Sequence, residues 1–193
     1  MIKSGIIKKA SELIIGPRTA TNEAIDNNKG QTEAVAFRED TEDEQAIKEL
    51  SRNFAQALND RDYDHLDSRS EYHLYTVDHL IELIKSDDEQ NTKNLIIENK
   101  IKSKFEDCEF VSITFSEDKK QAKVVCNVLI CIISAGEGYF KQLNKKNNKK
   151  TRINEGTPFR TAYTLTVKKE KGIWKVDEFD ASQEYIKIDK GIQ

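Results

Sequence analysis

A chain of 193 residues has room for one domain with an extra arm, or at most two very small domains. Its 34% charged and 37% hydrophobic residues would suit disorder if scattered, but the apolar residues cluster in periodic segments, which permits one compact core. From the balance of 31 basic against 34 acidic residues, a net charge of −3, neither a nucleic-acid footprint nor an acidic tail follows, and anything anionic would have to be met by a local patch.

Ile2, Ile6, Ile7, Ala10, Leu13 and Ile14 recur at helical spacing, with Lys3, Lys8 and Lys9 opposite and Gly16-Pro17 as the stop. Lys8-Lys9 follow Ile6-Ile7 at once, so no signal-peptide apolar region forms, and the chain reads as cytoplasmic. An isolated helix of this length is marginal in water and must bury its stripe. Ile2, Ile6 and Leu13 are therefore docking candidates, against the chain's own domain, a partner subunit or a membrane interface. An anchor upstream would make the location extracytoplasmic. Residues 17–40 read as a polar arm, with the short run 34–37 as a strand or an anchored extended segment.

The main domain is expected over residues 41–180. Thr41 and Glu44 have capping-box spacing, and Ile47, Leu50, Phe54, Ala57 and Leu58 form one helical stripe ending near Asn59-Asp60. A second helix is expected from Thr76, presenting Val77, Leu80, Leu83 and Ile84. A third is expected over 92–105, with Ile97, Ile101 and Phe105 in register. Between the first two, Asp62, Asp64 and His65 are the only candidates for general acid–base work. The plainer reading of them is a solvated loop and helix-start cluster, and no catalytic set is expected. His73 and His79 lack the i, i+4 spacing of helical metal ligands, so neither a metal nor a cofactor is expected.

From Cys108 the period becomes two. Val111, Ile113 and Phe115 alternate with polar residues, and Ser116–Lys119 is a turn. Residues 122–133 are apolar on both faces. The second face carries Val125, Leu129, Cys131 and Ile133, an interface candidate, because a strand apolar on both sides usually has both covered. Cys108, Cys126 and Cys131 show no metal or redox spacing and read as small buried hydrophobes. Cys126 and Cys131 are five apart and face opposite sides.

Gly136 and Gly138 predict a bend. Residues 141–154 predict a long solvated hairpin loop, whose Lys145, Lys146, Lys149 and Lys150 are anion-contact candidates. Pro158 opens a strand with Tyr163, Leu165 and Val167 on one side. A turn at 169–172 leads to a last strand in which Trp174 and Val176 share a face. Residues 181–193 read as a tail. Helices followed by strands predict an α+β domain, N-terminal helices packed on a curved antiparallel sheet of about four strands, cone-like in shape.

The capped helix ending in Asn59-Asp60-Arg61-Asp62-Tyr63, and the closing hairpin 161–179 with Ile173-Trp174-Lys175-Val176, carry a resemblance. They resemble the nuclear transport factor 2-like (cystatin-like) superfamily over residues 41–180. The look is nearest to the conjugation-channel assembly domains of type IV secretion systems. That resemblance implies a non-enzymatic binding or assembly module of a bacterial secretion or conjugation machine. Combined with the two-faced strand, it predicts a homo-oligomer or an association with other protein subunits. The alternative is a small-molecule-binding protein or an isomerase/dehydratase-like enzyme with a pocket inside the cone.

Overall fold

The structure, a computed structural model, describes residues 40–67, 69–146 and 152–187 of the chain. The first helix, α1 (Glu42–Asn59), starts where the sequence places it. Thr41 Oγ1 accepts the Glu44 N–H (3.2 Å), and the Glu44 carboxylate accepts the Thr41 N–H (2.7 Å). Three acidic residues in the first turn suit the positive end of the helix dipole. Ile47, Leu50 and Phe54 bury the inner stripe.

After the two-residue strand β1 (Arg61–Asp62) and a 3-10 turn (Tyr72–Leu74) come α2 (Val77–Lys85) and α3 (Asp88–Glu98). β2 (Lys102–Phe115) and β3 (Gln121–Ser134) follow, then α4 (Glu137–Lys146), β4 (Pro158–Glu170) and β5 (Ile173–Lys187). The strands form one antiparallel sheet in the order β1-β2-β3-β4-β5, so the α+β expectation holds with five strands. The β4–β5 link is a two-residue turn. Lys171 (φ 50°) and Gly172 (φ 84°) both lie in the left-handed region, as a turn matched to strand twist requires.

The core lies between α1 and the sheet. Val124, Cys126 and Val128 of β3 are 0% exposed, as are Leu165 and Val167 of β4. Phe54 meets Tyr75 (ring centroids 5.3 Å) and Phe179 (5.2 Å), and Phe179 meets Tyr163 (5.1 Å). These rings fill the space between α1 and the sheet.

Four local expectations are corrected. The third helix runs over 88–98, not 92–105, and residues 102–105 belong to β2. Ile101 is buried, and Phe105 pairs with Ile130 across the sheet. The spacing of Ile97, Ile101 and Phe105 imitates a helix, but strand pairing satisfies the backbone of 102–105 instead. Residues 137–146 form a helix, not a bend and loop. Tyr139 and Leu143 of α4 are buried with Ile153. Asn144 donates to the Ile153 carbonyl (2.8 Å) and accepts its N–H (2.7 Å), which fastens the return to β4. The alternation through Val111 breaks at a bulge between Phe110 and Ser112, leaving Val111 exposed. Finally, β5 continues past Ala181 to Lys187, paired with β4, where a tail was expected.

Candidate functional site

The outer face of the sheet is built by alternation. Side chains at 124, 126, 128, 130 and 132 enter the core, so 125, 127, 129, 131 and 133 face away. Cross-strand register sets their neighbours. Val125 lies between Ser112 and Thr164, Asn127 between Glu109 and Ala162, and Leu129 between Asp107 and Arg160. Val125 and Leu129 are half-buried, Ile133 is 49% exposed at the strand end, and Cys131 is buried between Lys104 and Pro158. The Arg160–Glu109 ion pair (3.7 Å) joins β4 to β2 across β3, beside Leu129. Arg52 reaches Asp107 (2.9 Å) from α1. The result is a mixed face, with Val125, Leu129 and Ala162 around the polar Asn127, and charge from Asp107, Glu109 and Arg160 at its edge.

Asp62 and Asp64 both contact Lys102, at 3.1 and 2.9 Å, and His65 is exposed. Asp62 also accepts the backbone N–H of Asp64. That bond, ahead of the Lys102 contact, holds its carboxyl below the ordinary carboxylate range. The three residues close the turn after β1. His73 is exposed, while His79 stacks on Tyr75 with centroids 4.4 Å apart. Burial lowers the His79 pKa despite the nearby Asp177, Glu82 and Glu178.

Two of the four basic candidates lie on α4. Lys145 is exposed on α4 and Lys146 is its last residue. Lys149 and Lys150 lie outside the described residues, as do Ile2, Ile6 and Leu13. Among the described residues no group of three His, Cys, Asp or Glu side chains is placed to hold a metal ion. Nor is any described helix long and apolar enough to cross a membrane.

Two arrangements escaped the sequence reading. Arg61 and Glu71 form a buried ion pair (3.1 Å), and Arg61 also donates to the Leu58 and Asp67 carbonyls and to Ser70 Oγ. This locks the segment after α1 to the helix end. At the opposite end of α1, Asp43 accepts from Trp174 Nε1 (2.8 Å) and Lys169 Nζ (2.7 Å). Those bonds, Lys169 first, lower the Asp43 pKa. Beside them opens a groove of 530 Å³, lined by Glu42, Asp43, Glu49, Leu74, Trp174 and Lys175 among others. The acid in the first helical turn and the lone tryptophan were visible in the sequence, but the 131-residue separation of Asp43 and Trp174 hid their pairing.

The fold thus defines an α+β domain of helices on an open five-stranded antiparallel sheet. No family model and no curated protein sequence matches the chain. Similar solved structures include the intermembrane space region of the chloroplast protein ARC6, at 14% identity and a TM-score of 0.45, covering 75% of this chain and 98% of that one. An IcmL-like type IV secretion system protein from Legionella pneumophila is similar at 10% identity and a TM-score of 0.47, covering 79% and 99%. An NTF-2 like protein of unknown function from Shewanella oneidensis is similar at 13% and 0.39, covering 72% and 97%. These likenesses concern overall fold only.

Proposed function

We propose that the domain is a non-catalytic assembly module that associates with a second copy of itself through the outer face of the sheet. The observation that supports this is the half-buried pair Val125 and Leu129, on the middle strand either side of Asn127 and edged by Asp107, Glu109 and Arg160. The aromatic filling between α1 and the sheet weighs against a small-molecule pocket inside the cone. The sequence resemblance suggests a bacterial secretion or conjugation machine as the larger assembly.

Four strands spaced about 4.8 Å apart, over about eight residues, offer a face on the order of 500 Å². That is below the ~800 Å² per partner of standard interfaces, so the self-affinity is expected to be micromolar. Sedimentation velocity across micromolar concentrations should show a monomer–dimer equilibrium. The double variant Val125→Lys/Leu129→Lys should sediment as a monomer with an unchanged far-ultraviolet circular dichroism spectrum. A wild-type chain that stays monomeric at the highest soluble concentration removes the proposal.

A further inference from the structure

Helix α2 carries two apolar stripes where one would suffice to hold it. Leu80 and Leu83 pack inward against the cluster containing Phe54, Leu74, Trp174 and Val176. Val77, Ile81 and Ile84, spaced i, i+4, i+7, form a second stripe that is 60, 44 and 63% exposed. No residue of this nine-residue helix is fully buried. A helix that short does not persist in water by itself, so its stability rests on packing. Asp78, Glu82 and Lys85, all exposed, lie beside the outer stripe.

The chain supplies an occupant of matching chemistry. Residues 1–15 carry Ile2, Ile6, Leu13 and Ile14 at helical spacing, an apolar stripe to match. The described residues begin at Asp40, just before α1, and the first turn of α1 is tied to the β4–β5 hairpin through Asp43, Lys169 and Trp174. The same hairpin meets the start of α2, where the Glu170 carboxylate accepts the Val77 N–H (3.2 Å). One hairpin therefore separates the point where the N-terminal arm joins the domain from the outer stripe. The 24 residues from 16 to 39 span at most about 80 Å when extended, whereas α2 is about 13 Å long, so reach is no obstacle. Such a tether gives an effective concentration on the order of millimolar, well above that of a second copy in solution.

We propose that the Val77–Ile81–Ile84 stripe is the docking face for this chain's own residues 1–15. The isoleucines of the arm lie on the stripe. Docking completes the burial of α2 and leaves the outer face of the sheet free.

The test uses the full chain. The three cysteines are buried, so Ser4→Cys can be tagged selectively with a nitroxide. In a tagged, nitrogen-15-labelled chain the amide signals of Val77, Ile81 and Ile84 should lose most of their intensity, while those of β2 near Val111 should not. Undiminished signals along α2 overturn the proposal. A mixture of tagged unlabelled chain with untagged labelled chain should show no such loss. If the loss appears there equally, the occupant is a second copy and the intramolecular assignment falls. Independently, Ile6→Asp/Leu13→Asp should speed amide hydrogen exchange in residues 77–85 by about tenfold, with exchange in β3 unchanged. Unchanged exchange in α2 counts equally against docking.

Discussion

Leu129 and Ile130 are neighbours on one strand, and both are apolar, yet they live in different surroundings. Ile130 is 6% exposed and packs among Val128, Ile132 and Phe159 of the core. Leu129 is half-buried beside Arg160 and Asp107, on the face that meets solvent in a single copy. Composition separates the two faces of β3 at Lys123 and Asn127, but between neighbours such as Val124 and Val125 it does not. The helical layer does, because it removes one face from water whatever the chain associates with.

The sharpest way to break this contrast is to empty the core. Phe54 touches two other aromatic rings and is 0% exposed, so Phe54→Ala should cost about 3–5 kcal/mol, read by urea unfolding. Ile130→Ala should cost about 2–4 kcal/mol, while Leu129→Ala next to it should cost under about 1 kcal/mol at concentrations where the chain is monomeric. Similar losses at 129 and 130 would mean that the outer face is covered within a single chain. Removing one member of a buried ion pair strands its partner, so Arg61→Ala should cost about 3 kcal/mol, with unfolding again the measurement.

The smallest expected effect is a pH dependence. Burial favours the neutral form of His79, so its folded pKa lies below the unfolded value of about 6.5. The unfolded state therefore binds more protons at mildly acidic pH. The contribution is fully present above pH 6.5 and declines as pH falls through that value. His79→Phe keeps a ring on Tyr75 and should flatten the decline between neutral pH and about pH 5. The lowered carboxylates, Asp43 among them, act in a separate window. Their contribution is present above the unfolded carboxylate value near 3.9 and is lost only at more acid pH. An unchanged slope in His79→Phe above pH 5 would show that the imidazole is not excluded from water.

Much of the architecture was legible because it rests on local rules. The Thr41–Glu44 box, the Ile47–Leu50–Phe54 stripe, the strand alternation at Tyr163, Leu165 and Val167, and the turn at Lys171-Gly172 each need only a few adjacent residues to be recognised. The candidate site was legible in part. The outward residues of β3 followed from period two, but their ion-paired rim, drawn from β2 and β4, did not. The acidic and basic clusters drew notice through their charge. Lys102 converts Asp62 and Asp64 into turn closure, and α4 takes up the start of the supposed loop.

The sequence by itself determined which segments have a buried side, because the alternation of apolar and polar residues is written along the chain. Only the tertiary structure decided which of two apolar sides goes inward, where α3 yields to β2, and that Arg61 finds Glu71 and Asp43 finds Trp174. Those outcomes depend on partners 10 to 131 residues away, and a hydrogen bond or a packed ring forms only when the fold brings both groups together.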